Sequence, residues 1–163
     1  MQRIFPVLML AGVGLAGMGL GRGGDAFAQQ PIGNGAASKP MIKVEVRDPK
    51  RPQAQCNDGS PPVFYFQPGS GPDRNKWVIY LEGGTACMSD ASCKQRAVSK
   101  PYLVTGSKVP ATMIAKGILS TQTSANPDFA HYNHVLAHYC SSDFWAGDTE
   151  RRIGDATWQF RGR

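Results

Sequence analysis

Four cysteines, Cys56, Cys87, Cys93 and Cys140, follow an N-terminal segment built for export, and that pairing restricts the chain more than any other feature. Residues 1–3 bring a positive charge, residues 4–20 carry none, and Ala26-Phe27-Ala28 supplies the small-x-small pattern that a signal peptidase cuts after. The apolar run is interrupted by Pro6 and several glycines. It is short for a bilayer-spanning helix, which needs about 20 mostly apolar residues. Residues 1–28 therefore read as a signal peptide. The mature chain is expected to be secreted or periplasmic, with no membrane association after cleavage.

Export places the cysteines in an oxidising compartment, where four of them point to two disulfides. A zinc site is the competing reading, but no C-x-x-C pair occurs, so no metal is expected. Four cysteines allow three connectivities, and spacing alone does not choose among them. Cys87 and Cys93 flank a short polar stretch suited to a local bridge, which would leave Cys56 to close with Cys140. On the loop-entropy account the long bridge would contribute about 4–5 kcal/mol and the short one about 2.

The formal charge is +6 and becomes +5 once Arg3, Arg22 and Asp25 leave with the signal peptide. The remaining bases (Lys43, Arg47, Lys50, Arg51, Arg74, Lys76, Lys94, Arg96, Arg151 and Arg152) are scattered and do not alternate with stacking aromatics. That excludes a nucleic-acid reading and leaves an anionic polysaccharide compatible in sign.

Residues 29–41, rich in Gly, Ala, Ser and Pro, read as a disordered lead-in, and residues 42–163 as one folded unit. Ile42, Val44 and Val46 alternate with Lys43, Glu45 and Arg47, the period of a half-buried strand. After the turn-rich run Cys56-Asn57-Asp58-Gly59-Ser60-Pro61-Pro62, residues 63–66 read as a second strand. Residues 77–81, Trp-Val-Ile-Tyr-Leu, are continuously apolar, in the manner of a strand covered on both faces. Ser89 or Asp90 caps a short helix running to Val98. Residues 99–128 read as loop with at most a short helix, and so long a loop in a compact domain suggests a functional site. Val135 and Ala137 mark a strand entering Cys140, and residues 158–162 form a last apolar-polar fragment. The class is α/β, with too few helices to cover both sides of a parallel sheet.

The most informative local feature is Leu81-Glu82-Gly83-Gly84 at the end of an apolar strand. Two glycines turn the backbone sharply and leave its N–H groups uncovered. Acyl-transfer enzymes need such donors at about 3 Å from the developing oxyanion. A plain tight turn would use the same residues. His131, His134 and His138 lie close in sequence, but hydrogen-bonded or surface histidines are the default over a metal cluster. No Gly-x-Ser-x-Gly occurs, so no nucleophile elbow is present.

The ordered combination is far more specific. Cys56-Asn57-Asp58-Gly59-Ser60-Pro61, Lys76-Trp77 leading into Leu81-Glu82-Gly83-Gly84 with Cys87 and Cys93, Gly117-Ile118-Leu119-Ser120, Asn126-Pro127, Tyr139-Cys140-Ser141-Ser142-Asp143 and Phe160-Arg161-Gly162 follow one another in order. Over residues 56–162 the chain closely resembles the N-terminal part of the pectinacetylesterase/Notum family of carboxylic-ester hydrolases.

That resemblance implies an incomplete α/β-hydrolase-like sheet. It also implies a Ser-Asp-His triad whose members lie downstream of Arg163, so that the chain is an N-terminal portion, inactive alone, with no catalytic residue of its own. It assigns an oxyanion loop to Gly83, Gly84 and Thr85 and pairs Cys56 with Cys140 and Cys87 with Cys93. Asp143 and Trp145 become residues of the site wall. Family members often carry tryptophan just before the loop cysteine; here Thr85-Ala86 precede Cys87, which bears on acyl-pocket shape. The expected substrate is an acetylated polysaccharide or another small ester, with no cofactor. A non-catalytic, disulfide-stapled secreted binding or vestigial module is the alternative.

Overall fold

The computed structural model describes residues 37–163; the expected signal peptide and most of the expected lead-in lie outside the described residues. Five strands, β1 (Met41–Glu45), β2 (Val63–Gln67), β3 (Trp77–Leu81), β4 (Thr112–Met113) and β5 (Asn133–Ala137), form one sheet in the order β3-β5-β2-β1-β4. Only β3 and β5 run parallel; the other neighbours are antiparallel. A separate hairpin joins β6 (Thr149–Ile153) to β7 (Ala156–Phe160). Its two-residue turn begins at Gly154, whose φ of +65° matches the left-handed geometry that a tight hairpin asks of its first central residue.

Met41, Val63, Tyr65 and Leu136 lie on one face of the sheet, and in β1 this is the face opposite to the Ile42, Val44 and Val46 alternation: Met41 is buried, whereas Ile42 and Val44 are exposed. Met41, Val63, Tyr65 and Leu136 form a core with Val109, Ala115 and Leu119. The last three belong to the long segment 99–128, so this loop stands where a covering helix would otherwise be. It is held by polar anchors: Lys43 N–H donates to Ala111 O at 2.9 Å, Tyr65 Oη to Pro110 O at 2.8 Å, and Asn126 Nδ2 to Ile118 O and Ser120 O at 2.8 and 2.9 Å. Its length serves the core. It touches the site only near its start, through Tyr102 and Thr105.

The expectation that β3 is covered on both faces does not hold. Trp77, Ile79 and Leu81 are 55%, 66% and 55% exposed. Strand β3 lies at the sheet edge, and none of the described helices rests on its outer face. Its apolar run is that of a buried strand, but the cover is not supplied by the described residues.

Helix α1 (Asp90–Ser99) is the one α-helix among the described residues. Ser89 Oγ accepts from Ser92 N–H, and Ser92 Oγ accepts from Ser89 N–H, a reciprocal capping box. Its Cys93 joins Val104, Ile153 and Trp158 in a second buried cluster, against which Cys87 and Phe160 rest. The disulfides are Cys56–Cys140 and Cys87–Cys93, each with a Cα–Cα distance of 4.9 Å.

Candidate active site

Strand β3 delivers the chain into Glu82-Gly83-Gly84-Thr85-Ala86-Cys87, and the two ends of this loop are pinned. Glu82 N–H donates to Ala137 O at 3.0 Å, and Cys87 N–H donates to Ser142 O at 3.2 Å. Cys87 is further tied to α1 through Cys93. Between these anchors the N–H groups of Gly83, Gly84, Thr85 and Ala86 have no hydrogen-bond partner among the described residues. Buried amides are almost always paired. Here Gly83 and Thr85 are exposed, and successive free donors on a fixed loop are available to an anionic oxygen.

Glycine at position 84 is a packing requirement. A Cβ there would run into the ring of Tyr139 and approach Arg96 Nη2 to 3.1 Å. Tyr139 is 1% exposed, and the guanidinium carbon of Arg96 lies 5.5 Å from its ring centroid. Arg96 Nη1 donates to Thr85 Oγ1 at 3.2 Å, whereas Nε and Nη2 are buried without a partner. Burial outweighs the neighbouring tyrosines and lowers the affinity of this guanidinium for its proton. A cation and an aromatic ring thus form the floor of the loop.

Under the first residue of the loop lies an ion pair. The Glu82 carboxylate accepts from His138 Nδ1 at 2.7 Å and from Tyr139 N–H at 3.0 Å. On its other side His138 Nε2 donates to Tyr102 O at 2.8 Å and to Thr105 O at 3.2 Å. Burial opposes charge on both groups, yet the hydrogen bonds and fields between them prevail. Glu82 is held below the usual carboxylate range and His138 above the usual imidazole range.

Asp143 and Trp145 lie beside this loop. Trp145 Nε1 donates to Glu82 O at 3.2 Å, and its ring lies 5.3 Å from that of Tyr139. The Asp143 carboxylate is committed to local structure, accepting from Ser141 Oγ at 2.6 Å, Trp145 N–H at 3.1 Å and Gly162 N–H at 2.8 Å. Ser142, Phe144 and Trp145 adopt φ of 55°, 58° and 62°, left-handed backbone that non-glycine residues rarely take. Such conformations cost about 1–3 kcal/mol each and persist where surrounding bonds impose them. Here those bonds include Ser142 Oγ to Asn57 Oδ1 at 2.5 Å and Phe144 N–H to Tyr139 Oη at 2.7 Å.

The two most distinctive sequence blocks meet in space. Asn57 Nδ2 donates to Ser141 O and to Gln159 O, both at 2.7 Å, and Asn57 N–H donates to Cys140 O at 2.8 Å. Disulfide Cys56–Cys140 closes the same junction. The serines of the Tyr139-Cys140-Ser141-Ser142-Asp143 block therefore hold structure. The histidines are similarly committed: His134 Nε2 donates to Phe129 O at 2.8 Å, and His131 Nδ1 lies 3.1 Å from Ser70 Oγ. Sequence reasoning overlooked Glu82, His138, Arg96 and Asn57 as supports of the site. The signal for Glu82 was available, as a carboxylate at the very end of an apolar strand.

A mixed α/β sheet whose edge strand ends in a loop of free amides, stapled by two disulfides, is an incomplete α/β-hydrolase-like fold. The pectinacetylesterase family model matches residues 36–163, and the chain belongs to that family of carboxylic-ester hydrolases. It is 42% identical over 110 residues to the palmitoleoyl-protein carboxylesterase NOTUM of Drosophila melanogaster, a match covering 66% of this chain and 16% of the relative. It is 36% identical over 118 residues to pectin acetylesterase 4 of Arabidopsis thaliana, covering 72% and 28%. To the inactive palmitoleoyl-protein carboxylesterase notum1b of Danio rerio it is 39% identical over 102 residues, covering 63% and 72%. A crystal structure of the Wnt deacylase Notum from Drosophila superposes with a TM-score of 0.67 and 35% identity, over 76% of this chain and 35% of that one. The chain thus spans only a fraction of the length of its relatives named as active enzymes. Among the described residues no helix is long and apolar enough to cross a membrane.

Proposed function

We propose that this chain carries the oxyanion-binding portion of an exported ester hydrolase, whose complete form removes acyl groups, acetyl in particular, from a carbohydrate or similar small ester. The supporting observation is the row of unpaired amides at Gly83, Gly84 and Thr85 between two anchored ones. When a serine attacks the ester carbonyl, its oxygen gains the negative charge, and N–H groups at Gly84 and Thr85 stabilise it; Gly83 shapes the turn. In the family order, the serine elbow follows the Phe160-Arg161-Gly162 block, with aspartate and histidine after it. The engagement of Ser141 with Asp143, Ser142 with Asn57 and His138 with Glu82 agrees with a triad from outside this segment. Trp145 and Asp143 form the wall beside the loop. Relatives named as a pectin acetylesterase and as palmitoleoyl-protein carboxylesterases bracket the acyl groups the fold accommodates.

On this reading the 163-residue chain does not hydrolyse a chromogenic acetate ester. Turnover above buffer that a serine-directed phosphonate abolishes would sink the assignment. In-frame coding sequence after Arg163 should encode Gly-x-Ser-x-Gly, then aspartate and histidine.

One observation favours a second reading, a disulfide-stapled module without catalysis: a relative named as inactive is matched over 72% of its length. A stop codon directly after Arg163 in the intact gene would decide for it.

A further inference from the structure

We propose that Glu82 and His138 are positioning residues for the glycine loop: a carboxylate–imidazolium pair beneath Glu82 fixes where the amides of Gly83, Gly84 and Thr85 stand. This rests on the oxyanion reading for its catalytic meaning, but the clamp itself is a property of the fold.

The ring of His138 meets only acceptors. Nδ1 faces the Glu82 carboxylate, and Nε2 faces the carbonyls of Tyr102 and Thr105. A neutral imidazole has one N–H and would leave one of these contacts without a proton; only the imidazolium satisfies both. His138 is 5% exposed, so water does not replace the lost bond. Glu82, in turn, is gripped at every polar group. Its carboxylate takes His138 Nδ1 and Tyr139 N–H, its own N–H binds Ala137 O, and its carbonyl takes the Trp145 indole. The next residue is Gly83, and from there the free amides begin. Two glycines provide no side chain to hold the loop. Its upstream geometry therefore comes from Glu82, as its downstream geometry comes from Cys87.

The other groups around the pair do not take over its protons. Tyr65 from β2 feels the Glu82 charge and is raised mainly by burial. Tyr139 is also raised, chiefly by burial, while its hydroxyl accepts from Phe144 N–H. Arg96 from α1 lies across the Tyr139 ring and binds Thr85. Asp143 is engaged by Ser141, Trp145 and Gly162. Tyr102 contributes its carbonyl.

Since His138 binds its proton more tightly in the fold, its half of the clamp is in place below the raised imidazole value and is lost as pH rises through it. Since Glu82 is depressed, the clamp is also lost as pH falls through the lowered carboxylate value. Loop order is greatest between these limits.

The test uses the 163-residue chain and needs no turnover. Imidazole nitrogen shifts of His138, hydrogen exchange of the Tyr139 amide that donates to the Glu82 carboxylate, and backbone order parameters at Gly83, Gly84 and Thr85 are followed from about pH 6 to about pH 9. Both ring nitrogens are expected to be protonated at neutral pH. Exchange at Tyr139, corrected for intrinsic base catalysis, should accelerate about tenfold or more as His138 titrates, and the loop order parameters should fall from about 0.85 toward about 0.6, while Asn57 amide exchange keeps its corrected rate. In Glu82→Gln the profile should flatten, with low loop order parameters at every pH; His138→Gln should do the same. A neutral His138 at pH 7, or loop order parameters that ignore its titration, overturns the proposal from the unsubstituted chain alone. Because no ester is involved, failure of the clamp is distinguishable from failure of the oxyanion reading, which rests on the esterase and coding-sequence tests.

Discussion

On one face of the central sheet Met41, Val63, Tyr65 and Leu136 lie under Val109, Ala115 and Leu119. On the opposite face, registers across β1, β2, β5 and β3 align Ile42, Val44, Phe64, Phe66, Val135, Ile79 and Leu81 into an apolar surface that the described residues leave open. The same strands build both faces, so propensity and patterning do not distinguish them. What differs is the cover. The first face is closed by segment 99–128, tied down with backbone hydrogen bonds; the second has no such cover among the described residues. An exposed apolar face of this extent marks a surface destined for contact. The loop side resembles the covered face: the junction of Cys56, Asn57 and Cys140 is satisfied within the described residues.

The largest effect is expected at the long disulfide. Replacing Cys56 and Cys140 by serine removes a bridge spanning 84 positions. It should cost about 4–5 kcal/mol, seen as a fall in urea midpoint with Cys87–Cys93 intact. An unchanged midpoint would mean that the polar junction supports itself. Next, Leu136→Ala on the covered face should cost about 3 kcal/mol, while Val135→Ala, one residue away on the open face, costs less than about 1. Equal losses would show that the open face is covered in solution. Asn57→Ala strands the carbonyls of Ser141 and Gln159 and the Ser142 hydroxyl, at about 2 kcal/mol in the same assay. The smallest effect belongs to Ile79→Lys. At 66% exposure its change in stability should stay within about 0.5 kcal/mol. Sedimentation should nevertheless show less self-association, because the charge interrupts the open surface beside an unpaired edge strand.

Much of the fold was legible because short periods carry it. Ile42, Val44 and Val46 announced β1, residues 63–66 announced β2, and Ser89 announced the start of α1. Strand β6 was missed because Thr149-Glu150-Arg151-Arg152 has no apolar alternation. It forms through pairing with β7 across the Gly154-Asp155 turn, and Ile153 is its only buried residue. Strand β3 was identified, but its surroundings were misread, since an apolar run reports what a strand is built to contact and not what covers it. At the site, Gly83 and Gly84 were visible as a turn rich in free donors. Their floor of Tyr139 and Arg96 was not, because the parts lie on different elements.

By itself the sequence determined the chemistry available: cysteines for two bridges, a glycine turn after an apolar strand, and ordered blocks that place the chain in its family. Those follow from residue type and local spacing. Only the tertiary structure decided which groups spend their hydrogen bonds on one another and which remain free. It committed Ser141, Ser142, Asp143 and His138 to internal bonds and left the amides of Gly83, Gly84 and Thr85 open. The reason is physical. Whether a polar group is spent depends on partners brought within about 3 Å; Glu82 and His138 are 56 positions apart along the chain and become adjacent only once β3 and β5 pair in parallel.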